Sequence, residues 1–316
     1  MIDYVCYVED FLERVKRNYY QNKKIIFAFG DSWTNNTYME DINYAPPGNL
    51  YPSRCWTYRL AEKMGYDCVV NISTAGGSND DIFKYCLDTM CLYDEYTFNL
   101  CRIHELKATD IKVVIGWSTQ IRNFDVLNNI FRPYNCASLP FVYDSIDTET
   151  KEIRSLHEIY VRNLHSEYLC FKTQLQTIAL QYYFKKHGIE SFYFMAFTPL
   201  LENDIVNTKW DLREEIDETR FYQLYSLGHM DNTIKKICKS DSRNKHIVES
   251  SMLYVKHFKD YYKKYLPKMD SGYLDKIDSL DKQYFRPDGH PNENGLEIIS
   301  EEVYKLIKEF ETSEKP

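Results

Sequence analysis

Four short stretches of the sequence place residues capable of nucleophilic or acid–base chemistry beside apolar runs. Ser32 follows such a run in "KIIFAFGDSWTN" (24–35), and the small-residue turn of "NISTAGGSNDDI" (71–82) follows a second. "GWSTQIRN" (116–123) ends a third run, and "RPDGHPNENG" (286–295) precedes a helical pattern. Acyl transfer requires an attacking hydroxyl, an imidazole base, a group that orients the base, and donors for the oxyanion. The four stretches together contain all of these groups.

The elements that would position these residues alternate between strand and helix patterns. Strands are predicted at Ile25–Phe29 and in "YDCVVNIS", "DIKVVIGWS" and "SFYFMAF", with helices between them and a last helix in "NENGLEIISEEVYKLIKEF". Such alternation predicts an α/β fold with a mostly parallel sheet and helices on both faces. Because the carboxyl ends of parallel strands share one edge, where sites form, we expect the four polar stretches to meet there.

Composition narrows the classes of partner. The net charge of −8 over 316 residues argues against a protein that tracks nucleic-acid phosphates, because such proteins carry a basic face. The nine cysteines show no CxxC pair and no Cys/His spacing for a metal, so we expect reduced thiols and no bound metal. No apolar window is long enough to span a bilayer, and the first twenty residues lack the pattern of a secretory signal. A cytoplasmic protein without membrane contact is predicted, with association with a virion or release as the alternative for a chain of viral origin.

Three motifs in this order resemble a known superfamily. "FAFGDSW", "NISTAGGS" and "DGHPN" are similar to blocks I, II and V of the SGNH (GDSL-type) hydrolases, which comprise esterases, lipases, carbohydrate deacetylases and some acyltransferases. The resemblance covers the framework from about Lys24 to Phe310. It implies a flavodoxin-like three-layer α/β/α sandwich with a mostly parallel sheet and helical insertions.

The resemblance also implies a role for particular residues. Ser32 would be the nucleophile, and its backbone N–H would be one oxyanion donor, with the N–H of Gly76 as another. His290 would be the general base, and Asp288 would orient the imidazole. No cofactor is implied.

The sequence departs from the family pattern in the third block. Where the family usually has GxND, this chain has "GWST", which places Ser118 in the position of the asparagine that donates to the oxyanion. A serine hydroxyl is shorter and rotates, so Ser118 could donate directly or through a water, and Thr119 or Gln120 could replace it. The loss of one such donor costs about 2.7 to 4 kcal/mol in the barrier, so a slow or selective enzyme is expected.

A second departure affects the acid. The usual arrangement is Asp-x-x-His, whereas only Gly289 separates Asp288 from His290. This change of spacing alters where the carboxylate points. A backbone carbonyl or another acid therefore stays open as an alternative to Asp288.

Three further residues are predicted to contact substrate because they flank the proposed site. Trp33 is adjacent to Ser32, and Trp117 and Arg122 follow or end the third strand. The Trp33 side chain could form a wall of the acyl pocket or pack in the interior, and the sequence favours neither role.

The chain is predicted to be a single domain, 1–316, with three additions. These are an N-terminal helical extension (1–22), an irregular insertion that resembles a hairpin (131–155) and a helical cap or lid (201–285). A loop as long as the last would be improbable without its own structure. An oligomer interface or a lineage-specific decoration is the alternative to a lid.

The predicted function is that of a serine esterase that hydrolyses a carboxylic ester, with an O-acyl group such as acetyl on a carbohydrate as the first substrate. The partner is thus a small-molecule or carbohydrate ester, and the oligomeric state is left open. An acyltransferase that uses the same residues is one alternative. An inactive binding or structural protein is another, because each motif also has a plain structural explanation: Ser32 as a helix N-cap, and Gly76 as a turn residue.

Overall fold

The computed structural model describes residues 2–31, 34, 55–73, 77–90, 103–118, 122–124, 133–135, 166–196, 211–224, 230, 234, 291 and 293–313. The main sheet contains β1 (Asp3–Val5), β2 (Lys24–Gly30), β3 (Cys68–Ser73), β4 (Asp110–Trp117) and β7 (Glu190–Met195). The helices are α1 (Val8–Lys16), α2 (Trp56–Met64), α3 (Asn79–Met90), α4 (Ser166–Lys186) and α5 (Glu293–Ser313). A separate antiparallel pair consists of β5 (Arg122–Phe124) and β6 (Pro133–Asn135). Three-residue 3₁₀ turns lie at Ile103–Glu105, Arg213–Glu215 and Glu218–Arg220.

The five strands of the main sheet are parallel and lie in the order β1-β3-β2-β4-β7. The chain passes from β2 to β3 on one side and then to β4 on the other side of β2, so the topological switch point lies between β2 and β4. Without β1, the remaining four strands follow the first four positions of the flavodoxin-like order 2-1-3-4-5. The predicted α/β fold with a parallel sheet is therefore confirmed.

Both faces of the sheet are covered, which explains why its strands are apolar at nearly every position. Alternate residues of β2 illustrate this, because Phe27 packs with Phe11 of α1 on one face, while Ile26 joins the core beneath α2 and α5 on the other. The first core also contains side chains of α3 and α4. The helices thus form two layers around the sheet.

The helices α2 and α5 run antiparallel to the strands. Lys112, near the start of β4, contacts Glu311, near the end of α5, with 3.2 Å between Nζ and Oε1. A 21-residue helix is about 31 Å long, so α5 begins near the carboxyl ends of the strands. Arg59 in the first half of α2 donates to the carbonyl of Glu293, which places the starts of the two helices together. Pro291, which is buried and precedes α5, therefore lies toward the carboxyl edge of the sheet.

The N-terminal region differs from the prediction. The predicted helical extension (1–22) contains α1, but β1 precedes it and pairs in parallel with β3, with Val5 opposite Val70. Three residues are too few for an alternating pattern to be visible in the sequence, so the pairing with β3 is what reveals the strand.

The structure describes only parts of the two predicted insertions, of which 201–285 is predicted as helical and 131–155 as irregular. Within 201–285, residues 211–224 form two 3₁₀ turns and cover the β7 edge, where the N–H of Tyr222 donates to the carbonyl of Tyr193 at 2.8 Å. Within 131–155, β6 pairs with β5. The remainder of each insertion lies outside the described residues, apart from the buried Met230 and Ile234, and a lid stays a prediction.

Among the described helices, none combines the length and the apolar content that crossing a membrane requires.

Candidate functional site

A buried hydrogen bond joins the ends of two strands across the switch point. Asp31 follows β2, Ser118 follows β4, and both residues are 0% exposed. The Ser118 hydroxyl donates to Oδ2 of Asp31 at 2.8 Å. Buried carboxylates are rare unless they have such donors, so this bond accounts for how Asp31 is accommodated in the interior.

The same serine is linked to the two helices on one face of the sheet. Its backbone N–H donates to Oδ1 of Asn79 at 2.8 Å, and Nδ2 of Asn79 donates to the Thr173 hydroxyl at 3.1 Å. Asn79 is the first residue of α3, and Thr173 lies in α4. We refer to the four buried residues Asp31, Ser118, Asn79 and Thr173 as the switch-point network.

Thr34 closes the turn that follows β2. Its N–H donates to the carbonyl of Asp31 at 3.0 Å, and its carbonyl accepts from Nδ2 of Asn71, in β3, at 2.6 Å. Thr34 is 2% exposed. Asp31, which precedes Ser32, is therefore held by Ser118 at the end of β4. Thr34, which follows Trp33, is held by Asn71 in β3.

Two glycines make room for Thr34. A Cβ atom on Gly30 would lie 2.2 Å from the Thr34 hydroxyl oxygen. A Cβ on Gly116 would lie 3.2 Å from the same oxygen and 2.7 Å from a ring carbon of Phe194. The glycine of the "GDSW" stretch is thus required by packing, and the turn after β2 would have to move if a side chain were added there.

The start of α3 is capped at the same edge of the sheet. The N–H and hydroxyl of Ser78 donate to Oδ2 of Asp81 at 2.8 and 2.7 Å, and the N–H of Asp81 donates back to the Ser78 hydroxyl at 3.2 Å. This reciprocal pattern is a capping box, in which an acid satisfies N–H groups at the beginning of a helix. Gly77, which precedes Ser78, is buried.

Three of the predicted site residues lie in the described part of the chain, and five lie outside it. Ser118 lies at the switch point, but its hydroxyl and its N–H have Asp31 and Asn79 as acceptors, so its role as an oxyanion donor stays a prediction. Trp117 is 0% exposed and packs in the core beside α3 and α4, which assigns it a packing role and lends no support to the predicted contact with substrate. Arg122 begins β5. The others lie outside the described residues: Ser32, Trp33, Gly76, Asp288 and His290.

Sequence neighbours nevertheless relate the proposed nucleophile and base to one edge. Asp31 and Thr34 flank Ser32 at the carboxyl end of β2, and Pro291, which follows His290, lies toward the same edge at the start of α5. Ser32 and His290 are more than two hundred and fifty positions apart in the chain, and that they meet at this edge stays a prediction.

Cysteine and metal chemistry have no support in the described part of the chain. Burial raises the pKa of the Cys55 and Cys68 thiols to about 12, so both are protonated at neutral pH. No group of three or more His, Cys, Asp or Glu side chains among the described residues is arranged to hold a metal ion.

Comparison with known proteins identifies a family. A family model described as "Family of unknown function (DUF6071)" matches residues 47–273. The chain belongs to this family. The part matched by the DUF6071 model includes Ser118, Asn79 and Thr173 of the switch-point network, and it includes neither Ser32 nor His290.

The other two comparisons, with curated proteins and with solved structures, do not identify a family. No curated protein matches the chain. Among solved structures, one that is similar is the crystal structure of a member of the lipolytic protein G-D-S-L family from Veillonella parvula DSM 2008. It is 13% identical, the match covers 90% of this chain and 98% of that one, and the TM-score is 0.31.

Sequence reasoning missed most of the switch-point network. Asp31 has no sequence signal beyond that of a turn residue after a strand, whereas Asn79 has one, because it opens a helix after a small-residue turn. Thr173 lies in the middle of a helix among other polar residues, so no local signal distinguishes it.

Proposed function

We propose that this member of the DUF6071 family is a serine esterase, which hydrolyses a carboxylic ester through an acyl intermediate on Ser32. The observation that carries the proposal is the bond between Asp31, the residue before Ser32, and Ser118 at the switch point. In open α/β sheets, ligands bind in the crevice at such a point. A reactive serine placed there would be next to the ligand.

The anchoring of the turn around Ser32 supports this role. A nucleophile that is held in one position avoids the entropic cost of finding the reactive geometry, which contributes much of enzymatic rate enhancement. Asp31 is held by β4 and Thr34 by β3, and the bond between them closes the turn. Supporting contacts of this kind are what a catalytic position requires.

In the proposed reaction, the Ser32 hydroxyl oxygen attacks the ester carbonyl carbon while His290 takes its proton. The carbon–oxygen bond to the alcohol then breaks, and His290 returns the proton to the leaving alkoxide. A water molecule, deprotonated by His290, then attacks the acyl carbon, the bond to the Ser32 oxygen breaks, and His290 returns the proton to that oxygen as the acid is released. Asp288 would orient His290 and stabilise the imidazolium.

Backbone donors would hold the developing oxyanion. The N–H groups of Ser32 and Gly76 are the proposed donors, and Gly76 comes two residues before the capped start of α3. N–H groups at a helix start favour negative charge. The third donor of the family pattern, here Ser118, would have to give up its bond to Asp31 in order to take part.

For the substrate, an O-acyl group on a carbohydrate is proposed first. The support is the aromatic share of 16%, because aromatic rings provide stacking surfaces for sugars, together with the range of activities in the superfamily that the motifs resemble. A bias in amino-acid composition would produce the same share, so the substrate has to be determined with a panel of acetylated sugars and acyl esters.

One observation favours a second candidate, a binding protein that has kept the fold without the activity. The residue in the asparagine position is a buried serine whose hydroxyl already has a carboxylate acceptor. A site with two oxyanion donors and no third would be a weak catalyst. In that case Ser32 would not react with electrophiles.

Labelling by a fluorophosphonate probe and turnover of p-nitrophenyl acetate distinguish the two candidates. The variants are Ser32→Ala and His290→Ala, with Ser300→Ala and His187→Ala as matched controls on α5 and just after α4. We expect labelling in the wild type, no labelling in Ser32→Ala, and at least about a hundredfold slower turnover in His290→Ala. A folded wild type that neither labels nor turns over, with several chain lengths of probe, would exclude the esterase.

A further inference from the structure

The Ser118 hydroxyl has one hydrogen, and the structure shows where it goes. It is directed at Oδ2 of Asp31, 2.8 Å away, inside a pair of residues with no exposed surface. A hydrogen bond to a carboxylate is stronger than one to a neutral acceptor. Turning the hydroxyl toward a substrate would leave a buried carboxylate without this donor, which is costly.

The rest of Ser118 is equally constrained. Its N–H donates to Oδ1 of Asn79, and the Asn79 amide is held in this orientation because its Nδ2 donates to Thr173. The Thr173 hydroxyl in turn donates to the carbonyl of Leu169 at 3.1 Å, so it accepts from Asn79 and cannot exchange roles with it. The hydroxyl and N–H of Ser118, one Nδ2 hydrogen of Asn79 and the hydroxyl of Thr173 therefore each have a defined acceptor.

We propose that Ser118 is a positioning residue, which holds Asp31 and through it the turn Asp31–Thr34, and that it is not the side-chain donor to the oxyanion. This inference rests on the proposed function for its catalytic consequence. The switch-point network then connects α4 and α3 to the turn that contains Ser32. During acylation, no proton moves at Ser118, and its hydroxyl does not donate to the carbonyl oxygen of the substrate.

A double-mutant cycle separates the two roles. Ser118→Ala, Asp31→Ala and the double variant are compared for kcat, KM and the rate of fluorophosphonate labelling, with Ser300→Ala as the control for a buried serine without a carboxylate partner. If Ser118 positions Asp31, each single change slows labelling about tenfold or more, and adding Ser118→Ala to Asp31→Ala slows it no further, because the carboxylate that Ser118 holds is already absent. Ser118→Thr, which keeps the hydroxyl, restores most of the rate.

If the Ser118 hydroxyl donates to the oxyanion, the result will be different. Ser118→Ala would then lower kcat about 100- to 1,000-fold with little change in KM, and the effect would multiply with that of Asp31→Ala. Either that result or a Ser118→Ala variant that labels at the wild-type rate overturns the inference.

Hydrogen exchange tests the positioning role of Ser118 without a measurement of catalytic activity. The N–H of Thr34, which donates to the carbonyl of Asp31, should exchange at least about tenfold faster in Ser118→Ala than in Ser300→Ala. Equal exchange rates overturn the inference even in an active enzyme. If the wild type fails to label, the proposed function is excluded, and faster exchange at Thr34 still supports the role of Ser118 in holding the turn.

Discussion

The helices α4 and α5 are both 21 residues long and lie on opposite faces of the sheet, yet their buried sides differ in composition. The buried side of α5 is apolar except for Ser300 and includes Leu296, Ile299, Val303, Ile307 and Phe310. The buried side of α4 combines apolar residues, which are Leu169, Cys170, Leu180 and Phe184, with polar ones, which are Thr173, Gln174, Gln176, Thr177 and Gln181. Its exposed side carries Tyr168, Leu175 and Tyr182, which are 50%, 45% and 70% exposed. Both helices therefore bury apolar area, and α4 buries a set of polar side chains in addition.

Side-chain hydrogen bonds add to the apolar contacts that locate α4. Gln181 accepts from the N–H of Asp217 at 2.9 Å and donates to the carbonyl of the same residue at 3.2 Å. About two turns earlier on the same face of the helix, Gln174 accepts from the N–H of Leu212 at 2.6 Å. These bonds join α4 to the 211–224 segment at the β7 edge. The bond from Asn79 to Thr173 joins it to the switch-point network.

This difference indicates which of the two helices is fixed in one position on the sheet by particular hydrogen-bond partners. Apolar contacts tolerate small shifts and exchanges of similar side chains, so the α5 face can be held by area alone. Buried polar groups must find particular partners, and a displaced α4 would leave several of them unsatisfied. The candidate site depends on the second kind of packing.

The largest expected effect is on the apolar face of α5. Ile307→Ala removes a side chain that is 0% exposed and should lower the free energy of unfolding by about 3 kcal/mol, because it leaves a cavity beneath the helix. Urea unfolding followed by circular dichroism measures this. Leu175→Ala on the exposed side of α4 is the control, and an equal loss in both variants would contradict the comparison.

A smaller effect is expected from the glutamines of α4. Gln181→Ala should destabilise the protein by about 1 to 3 kcal/mol, because the N–H and carbonyl of Asp217 lose their partner. Proteolysis at 211–224 should become faster in the same variant. Tyr182→Ala, the neighbouring exposed position, serves as the control; if it is as damaging as Gln181→Ala, hydrogen bonding is not what holds this segment.

The ion pairs between α2 and α5 should contribute less and depend on pH. Burial raises the pKa of Glu297, but hydrogen bonds from Lys63 and Arg59 outweigh it and hold the pKa below its ordinary value of 4.5. Because the pKa is lower in the folded state, the contribution is present above about pH 4.5 and is lost as the pH falls through the lowered value.

The test is Glu297→Gln, which should cost about 0.5 to 1 kcal/mol at pH 7 and low salt. The difference from the wild type should shrink near pH 3 and in 1 M salt, because protonation and screening remove the same interaction. Urea titrations at both pH values measure it. A difference that is independent of pH would assign the effect to packing of the side chain.

The smallest effect is expected on the exposed side of α4. Tyr168→Ser and Leu175→Ser should each change the free energy of unfolding by less than about 0.5 kcal/mol, because surface positions without special contacts tolerate substitution. Thermal unfolding with Ile299→Ser as the buried counterpart checks this. A large loss at Leu175 would mean that its side chain is covered in solution.

The predicted strands correspond closely to the observed ones because their signal is local. Runs such as "KIIFAFG" are apolar at successive positions, which is typical of a strand covered on both faces. The helix α5 was equally visible, since its apolar residues recur at helical spacing. The helix α4 was predicted as helix, but its buried and exposed sides could not be assigned, because polar residues face the interior.

The candidate site was predictable in part. Ser32, Gly76, Asp288 and His290 were identified from motifs, and their roles stay predictions. The pairing of Asp31 with Ser118 was not foreseen, because the two residues are 87 positions apart and neither type signals a buried partner.

The sequence by itself determined the class of fold and the edge of the sheet at which polar residues collect, because apolar periodicity and the direction of parallel strands follow from local pattern. Only the tertiary structure decided that β1 joins the sheet, that the glycines at 30 and 116 accommodate Thr34, and that Ser118 donates to Asp31. These features depend on contacts between residues far apart in the chain. Hydrogen-bond direction and available space arise only when the strands are side by side.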